Sequence, residues 1–159
     1  MNHPKSFTRN TTEGFAQRVR KNLEFVIAAR RTNADVHEVT QLAISLLGLV
    51  VFPWEAGALK HLEKKTLEQL QKDAWPRWSI LLDRNGETTT LGALTRHLRN
   101  AAAHRRIQFS SDARELDAVE IQFEDAPPGK PVDWRAKIGA ADLKVFCDRF
   151  SRALEELVG

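Results

Sequence analysis

Residues 91–106 read Leu91-Gly92-Ala93-Leu94-Thr95-Arg96-His97-Leu98-Arg99-Asn100-Ala101-Ala102-Ala103-His104-Arg105-Arg106. At the advance of about 100° per residue of an α-helix, Leu91, Leu94, Leu98, Ala101 and Ala102 gather on one arc. Arg96, His97, Arg99, Asn100 and His104 gather on the other, and Ala103 leaves that polar face open. Thr90 stands where an N-cap belongs, so the spacing predicts a helix from Leu91 to about His104. One arc of such a helix has to be buried, which asks for further helices around it.

The neighbouring sequence supplies them. Upstream, Asp83-Arg84-Asn85-Gly86 is a turn signal, and Trp75, Pro76 and Trp78 form an aromatic connection. The stretch from Glu55 to Asp73 is charged and helical in pattern, with Leu59, Leu62, Leu67 and Leu70 facing inward and Thr66 restarting a short second helix. Before it, Val36 to Phe52 is apolar around most of its circumference, so it is the most buried helix. Asn33 or Asp35 is its cap, and Pro53 ends or kinks it. Thr12 to Arg31 places Phe15, Val19, Leu23, Val26 and Ile27 on one face, with Arg18, Arg20, Lys21, Arg30 and Arg31 elsewhere as a basic surface. Residues 1–10 read as a loose terminus. Downstream, Val119 to Phe123 alternates like a strand, Asp125-Ala126-Pro127-Pro128-Gly129 is a loop, and Val132 to Lys137 reads as the returning strand. Leu143, Phe146, Cys147, Phe150, Leu154 and Leu157 mark a last helix. The reading is a mainly α bundle, residues 11–159, with one small β-hairpin before the C-terminal helix.

Composition narrows the function classes. The chain has 159 residues, 42% of them hydrophobic, enough for one core. Its net charge of +3 and pI of about 9.2 permit an anionic partner without requiring one. Cys147 is the single cysteine, which excludes an internal disulfide and a thiolate cage. The apolar run from Leu42 to Phe52 is too short to cross a membrane. A cytoplasmic location follows as the expectation. No His-Glu-x-x-His, Cys-x-x-Cys, phosphate-binding glycine loop or nucleophile elbow is present, so neither a metal nor a cofactor is expected. His3, His37 and His61 lack ligand-like spacing.

The polar arc of residues 91–106 carries groups suited to a phosphodiester. Arginine offers a bidentate fork for phosphate, histidine moves a proton near neutral pH, and asparagine orients an oxygen or an imidazole. The plainer alternative is a basic helix end that complements the dipole, with His104 helping to cap it. The segment Arg99-Asn100-Ala101-Ala102-Ala103-His104 resembles the Arg-Asn-x-x-x-His motif of the HEPN superfamily. Thr40-Gln41-Leu42, followed by Leu46-Leu47-Gly48-Leu49-Val50-Val51-Phe52-Pro53-Trp54-Glu55, is similar to a group of small bacterial and plasmid HEPN proteins. The early helix around Phe15 to Phe25 and the late hairpin with its helix fit that group too.

The resemblance implies a metal-independent endoribonuclease. It would cleave RNA by 2′-hydroxyl attack and leave a 2′,3′-cyclic phosphate. It also implies a homodimer with a composite site, a toxin–antitoxin or phage-defence setting, and room for an antitoxin protein as partner. By the same resemblance Arg99, Asn100 and His104 are the catalytic positions. Arg96, His97, Arg105 and Arg106 surround them as candidate substrate-binding residues, and Glu55 is a candidate support that orients Arg99 or Arg96. On residue type alone, His97 reads rather as a solvated surface histidine, Glu55 as an acid favouring a helix N-terminus, and the Trp75/Trp78 pair as core. The rival expectation is a non-catalytic HEPN module that binds RNA, a nucleotide or a protein.

Overall fold

The computed structural model describes residues 12–55 and 60–156, with side chains for 14–51 and 60–156. Helix α1 spans Thr12–Arg31, as its apolar spacing predicts. Ala16, Leu23 and Ile27 are its buried residues, and it packs on α2 (Glu38–Glu55) and on the last helix, α5 (Ala140–Glu156). The chain leaves α1 through Asn33, whose φ of 59° closes the helix end: Asn33 N–H donates to Arg30 O and Ala34 N–H to Ala29 O.

Asn33 is therefore committed to ending α1, and Asp35 pairs with Arg114, so neither caps α2. His37 does, with Nδ1 accepting from Thr40 N–H at 3.3 Å. Helix α2 also runs two residues past Pro53, which lies in its last turn rather than beyond its end. Proline there withdraws one ladder donor. Leu42, Leu46, Leu49 and Val50 are fully buried, which makes α2 a central helix.

A 3-10 turn at Leu62–Lys64 follows, then α3 (Leu67–Lys72). Thr66 restarts the helix through a capping box: its hydroxyl accepts from Gln69 N–H at 3.1 Å, and Gln69 Oε1 accepts from Thr66 N–H at 3.0 Å. The Leu59 expectation lies outside the described residues, as do those for residues 1–10 and Leu157.

Helix α4 (Leu91–Ala103) is capped by Thr90, which accepts from Ala93 N–H at 3.2 Å. The expected hairpin is present as β3 (Glu120–Asp125) and β4 (Trp134–Gly139). It is not alone. Strand β1 (Ser79–Asp83) pairs with β4 and β2 (Ile107–Phe109) with β3, giving a four-stranded antiparallel sheet in the order β1-β4-β3-β2. The expectation of one small hairpin is corrected on this point. Strand β1 hides its period because its register slips between Ile80 and Leu82, and β2 is only three residues long.

Alternation along β3 sends Ile121, Phe123 and Asp125 inward, and along β4 Trp134, Ala136 and Ile138. These residues face each other across the ladder as Ile121–Ile138, Phe123–Ala136 and Asp125–Trp134. Helix α4 lies against β3 on one side and α2 on the other, burying Leu91, Leu94, Leu98 and Ala101. Trp75 meets Phe146 edge-on at 5.5 Å and Trp78 meets Phe146 at 5.3 Å, so both indoles are core groups. Among the described residues no helix is long and apolar enough to cross a membrane.

Candidate functional site

The C-terminal half of α4, the end of β3 and the loop to β4 enclose an open cleft of about 420 Å³. Its walls include Arg96, His97, Asn100 and His104 from α4, Asp125 through Pro128 from the β3 end and loop, and Asn85, Glu87 and Asp133. A more enclosed apolar cavity of about 270 Å³ lies elsewhere, between α1, α2 and α5, and contains none of the motif residues.

His104 is exposed and forms the C-cap of α4. Its N–H donates to Asn100 O at 3.1 Å, which sets the imidazole at the mouth of the cleft. The helix then stops abruptly. Arg105 takes a φ of 56°, its N–H donates to Ala102 O, and Arg106 N–H donates to Ala101 O at 2.8 Å. This is a Schellman closure with arginine at the position that usually holds glycine. It turns the chain into β2, leaving Arg105 exposed and Arg106 half-buried, with Nη1 donating to Ala126 O at 3.2 Å.

Asn100 points into the cleft wall, where Nδ2 donates to Asp125 Oδ2 at 3.0 Å. The same oxygen lies 2.8 Å from His97 Nδ1, and Asp125 Oδ1 accepts from Ala126 N–H at 2.8 Å. His97 is 8% exposed and stacks on Trp134 with ring centroids 4.5 Å apart and planes 7° from parallel. Trp134 Nε1 in turn donates to Thr88 Oγ1 at 2.8 Å. His97 is therefore not a solvated surface histidine. One face of its ring lies on an indole and one nitrogen on a carboxylate, and both partners come from the sheet.

Arg96 reaches across to Glu87, with Nη2 at 3.1 Å from Oε2. Arg99 is half-buried, its Nη1 fully so, and it lies outside the cleft lining. Helical geometry puts it about 140° around the axis from His104. The structure thus gathers Arg96, His97, Asn100 and His104 in one cleft, sets Arg105 and Arg106 at its end, and places Arg99 on the flank of the same helix. Glu55 ends α2, but its side chain lies outside the described residues.

Carboxylates of Glu87, Asp125 and Asp133 line the cleft with Arg96, which is paired to Glu87, while Arg105 and Arg106 follow the end of α4. Asp125 escaped the sequence reading, which placed it in the loop. Its signal was the alternation itself: one further step beyond Ile121 and Phe123 makes residue 125 an inward position. An inward carboxylate needs a partner. Among the described residues no group of three or more His, Cys, Asp or Glu is placed to hold a metal ion.

In comparisons with known proteins, the family described as HEPN pEK499 p136 matches residues 1–159. No curated protein and no solved structure matches the chain.

Proposed function

The chain belongs to the HEPN pEK499 p136 family over its whole length, and from that premise we propose that it is a metal-independent endoribonuclease acting as a homodimer. HEPN domains are commonly associated with ribonuclease activity. The observation that carries the reading is the exposed imidazole of His104 at a cleft mouth, one helical turn from a carboxamide held in place by a carboxylate.

In the proposed reaction the RNA 2′-hydroxyl attacks the adjacent phosphorus. The O2′–P bond forms and the P–O5′ bond breaks. His104 takes the 2′ proton, and an imidazole delivers a proton to the leaving 5′ oxygen. The products are a 2′,3′-cyclic phosphate and a 5′-hydroxyl. Asn100 holds the phosphate or the imidazole, and Arg99 stabilises the charge that builds on the phosphoryl oxygens. Arg96, His97, Arg105 and Arg106 complete the surroundings, with Arg105 and Arg106 nearest the entering backbone. Arg99 and His104 leave one helix on different sides. A second copy related by two-fold symmetry brings one chain's guanidinium toward the other's imidazole and supplies the second histidine. Exposed Ala103 leaves room for that approach.

The test is incubation of purified protein with RNA and with DNA of the same sequence, in EDTA. RNA is expected to be cut to cyclic-phosphate ends while DNA, lacking the 2′-hydroxyl, stays intact. His104→Ala is expected to lower the rate at least ~100-fold. RNA bound but left whole by the wild-type protein overturns the reading in favour of a non-catalytic binding module. A setting in defence or toxin–antitoxin biology, with an antitoxin as partner, is part of the same proposal and rests on the family alone.

A further inference from the structure

We propose that Asp125 is a positioning residue of the ribonuclease site, acting through Asn100, and that buried His97 locks it in place. The inference rests on the ribonuclease reading for its rate consequences, but its geometry stands apart from it.

Asp125 Oδ2 accepts from Asn100 Nδ2 at 3.0 Å and lies 2.8 Å from His97 Nδ1, and Oδ1 accepts from Ala126 N–H at 2.8 Å. Two N–H donors and an imidazole nitrogen thus converge on this buried carboxyl, which uses both of its oxygens as acceptors. With one Nδ2 hydrogen held by Asp125, the Asn100 carboxamide keeps one orientation, and its second Nδ2 hydrogen is left for a phosphate oxygen and its carbonyl oxygen for an imidazole N–H. An unheld asparagine samples both orientations and offers donor and acceptor in turn.

Asp125 itself is fixed from two sides. The ladder sets it opposite Trp134, and His97 stacks on that indole while bonding the carboxylate. His97 thus ties α4 to the sheet one turn before Asn100. A helix holding Asn100 and His104 over the sheet by apolar contacts alone would have more freedom to roll. The pairing converts the α4–sheet contact into a directional one.

A double-mutant cycle tests this. Asp125→Asn keeps the shape but replaces one of the two acceptor oxygens with a donating amide. It is expected to lower kcat by about 100-fold, the scale of a reacting group misplaced by about 1 Å, with KM nearly unchanged. Asn100→Ala is expected to cost a similar factor, and the double variant no more than the worse single one, because both remove the same arrangement. His97→Asn, which keeps a donor near the Nδ1 position, is expected to retain more activity than His97→Leu. Multiplying losses in the double variant, or equal losses in the two His97 variants, overturn the proposal.

A readout independent of activity separates its failure from that of the ribonuclease reading. The Asn100 side-chain amide is expected to give a single, slowly exchanging pair of NMR signals in the wild-type protein and to lose protection in Asp125→Asn. Signals indifferent to that substitution overturn the positioning role even in an active enzyme. Signals that respond uphold the arrangement even if no RNA is cut. Should Asp125→Asn fail to fold, the His97→Asn and His97→Leu pair read by the same signals decides the matter.

Discussion

Asp83 shows how a single carboxylate organises one wall of the cleft. Burial opposes its ionisation, but the Thr88 N–H at 2.9 Å, the Thr88 hydroxyl and the Glu87 N–H outweigh that and hold it below its ordinary value. A depressed carboxylate contributes stability that is fully present above its unfolded value, about 3.9, and is lost as pH falls through the folded one. Stability measured by urea unfolding is therefore expected to fall as pH is lowered from about 5 toward 2, and less steeply in Asp83→Asn. Cys147 behaves oppositely. It is buried, and burial pushes its thiol far up, so alkylation by iodoacetamide is expected only after unfolding. His104 is exposed, and His104→Ala should change stability by no more than ~0.5 kcal/mol in a thermal melt. A loss of activity in that variant is then chemical and not a failure of folding.

Helix ends carry the element-scale predictions. Among the described residues, three helices finish with a residue in the left-handed region and a Schellman pair of bonds, and none of the three uses glycine: Asn33 after α1, Ala74 after α3, Arg105 after α4. An L side chain there costs ~1–2 kcal/mol, part of which glycine returns as unfolded-state entropy. Ala74→Gly is expected to raise the unfolding free energy by ~0.5–1 kcal/mol in urea titration. Arg105→Gly is expected to stabilise likewise and, under the proposed function, to weaken RNA binding in a filter-binding assay. The start of α4 is constrained in another way. A Cβ on Gly92 would lie 2.8 Å from Glu63 Cβ and 3.0 Å from Glu63 O, with backbone on the far side. Gly92→Ala is expected to destabilise by ~1–3 kcal/mol as the 3-10 turn at Leu62–Lys64 is pushed off α4.

For the molecule as a whole, α4 is the mount on which the site depends, because it is packed from both sides. Leu98, fully buried, sits between Arg99 and His97 and joins the helix to the common core. Leu98→Ala is expected to cost about 2–5 kcal/mol, measured by chemical denaturation. It should also loosen the site, because α2 and β3 hold α4 through that same core. The sheet gives the other half of the mount. Its inner face carries Trp134, Phe123 and Asp125, and its outer face carries exposed or half-exposed pairs such as Lys137–Glu120 and Arg135–Glu124. The inner face is thus both the floor of the core and the source of the cleft's fixed carboxylate.

The sequence alone determined the elements whose signals are local. These are the arc of Leu91, Leu94 and Leu98, the Thr90 and Thr66 caps, the alternation of β3, and the spacing from Arg99 to His104. Each depends on neighbours within about a turn or two, so periodicity and capping chemistry suffice to find it. Only the tertiary structure decided that His97 is interior, that Asn100 is held, and that two further strands widen the hairpin. His97 and Asn100 find Asp125 across 28 and 25 positions of chain. A polar side chain on a helical arc does not reveal whether water or a distant carboxylate will satisfy it. That is settled when the sheet closes under the helix and leaves the imidazole little solvent to face.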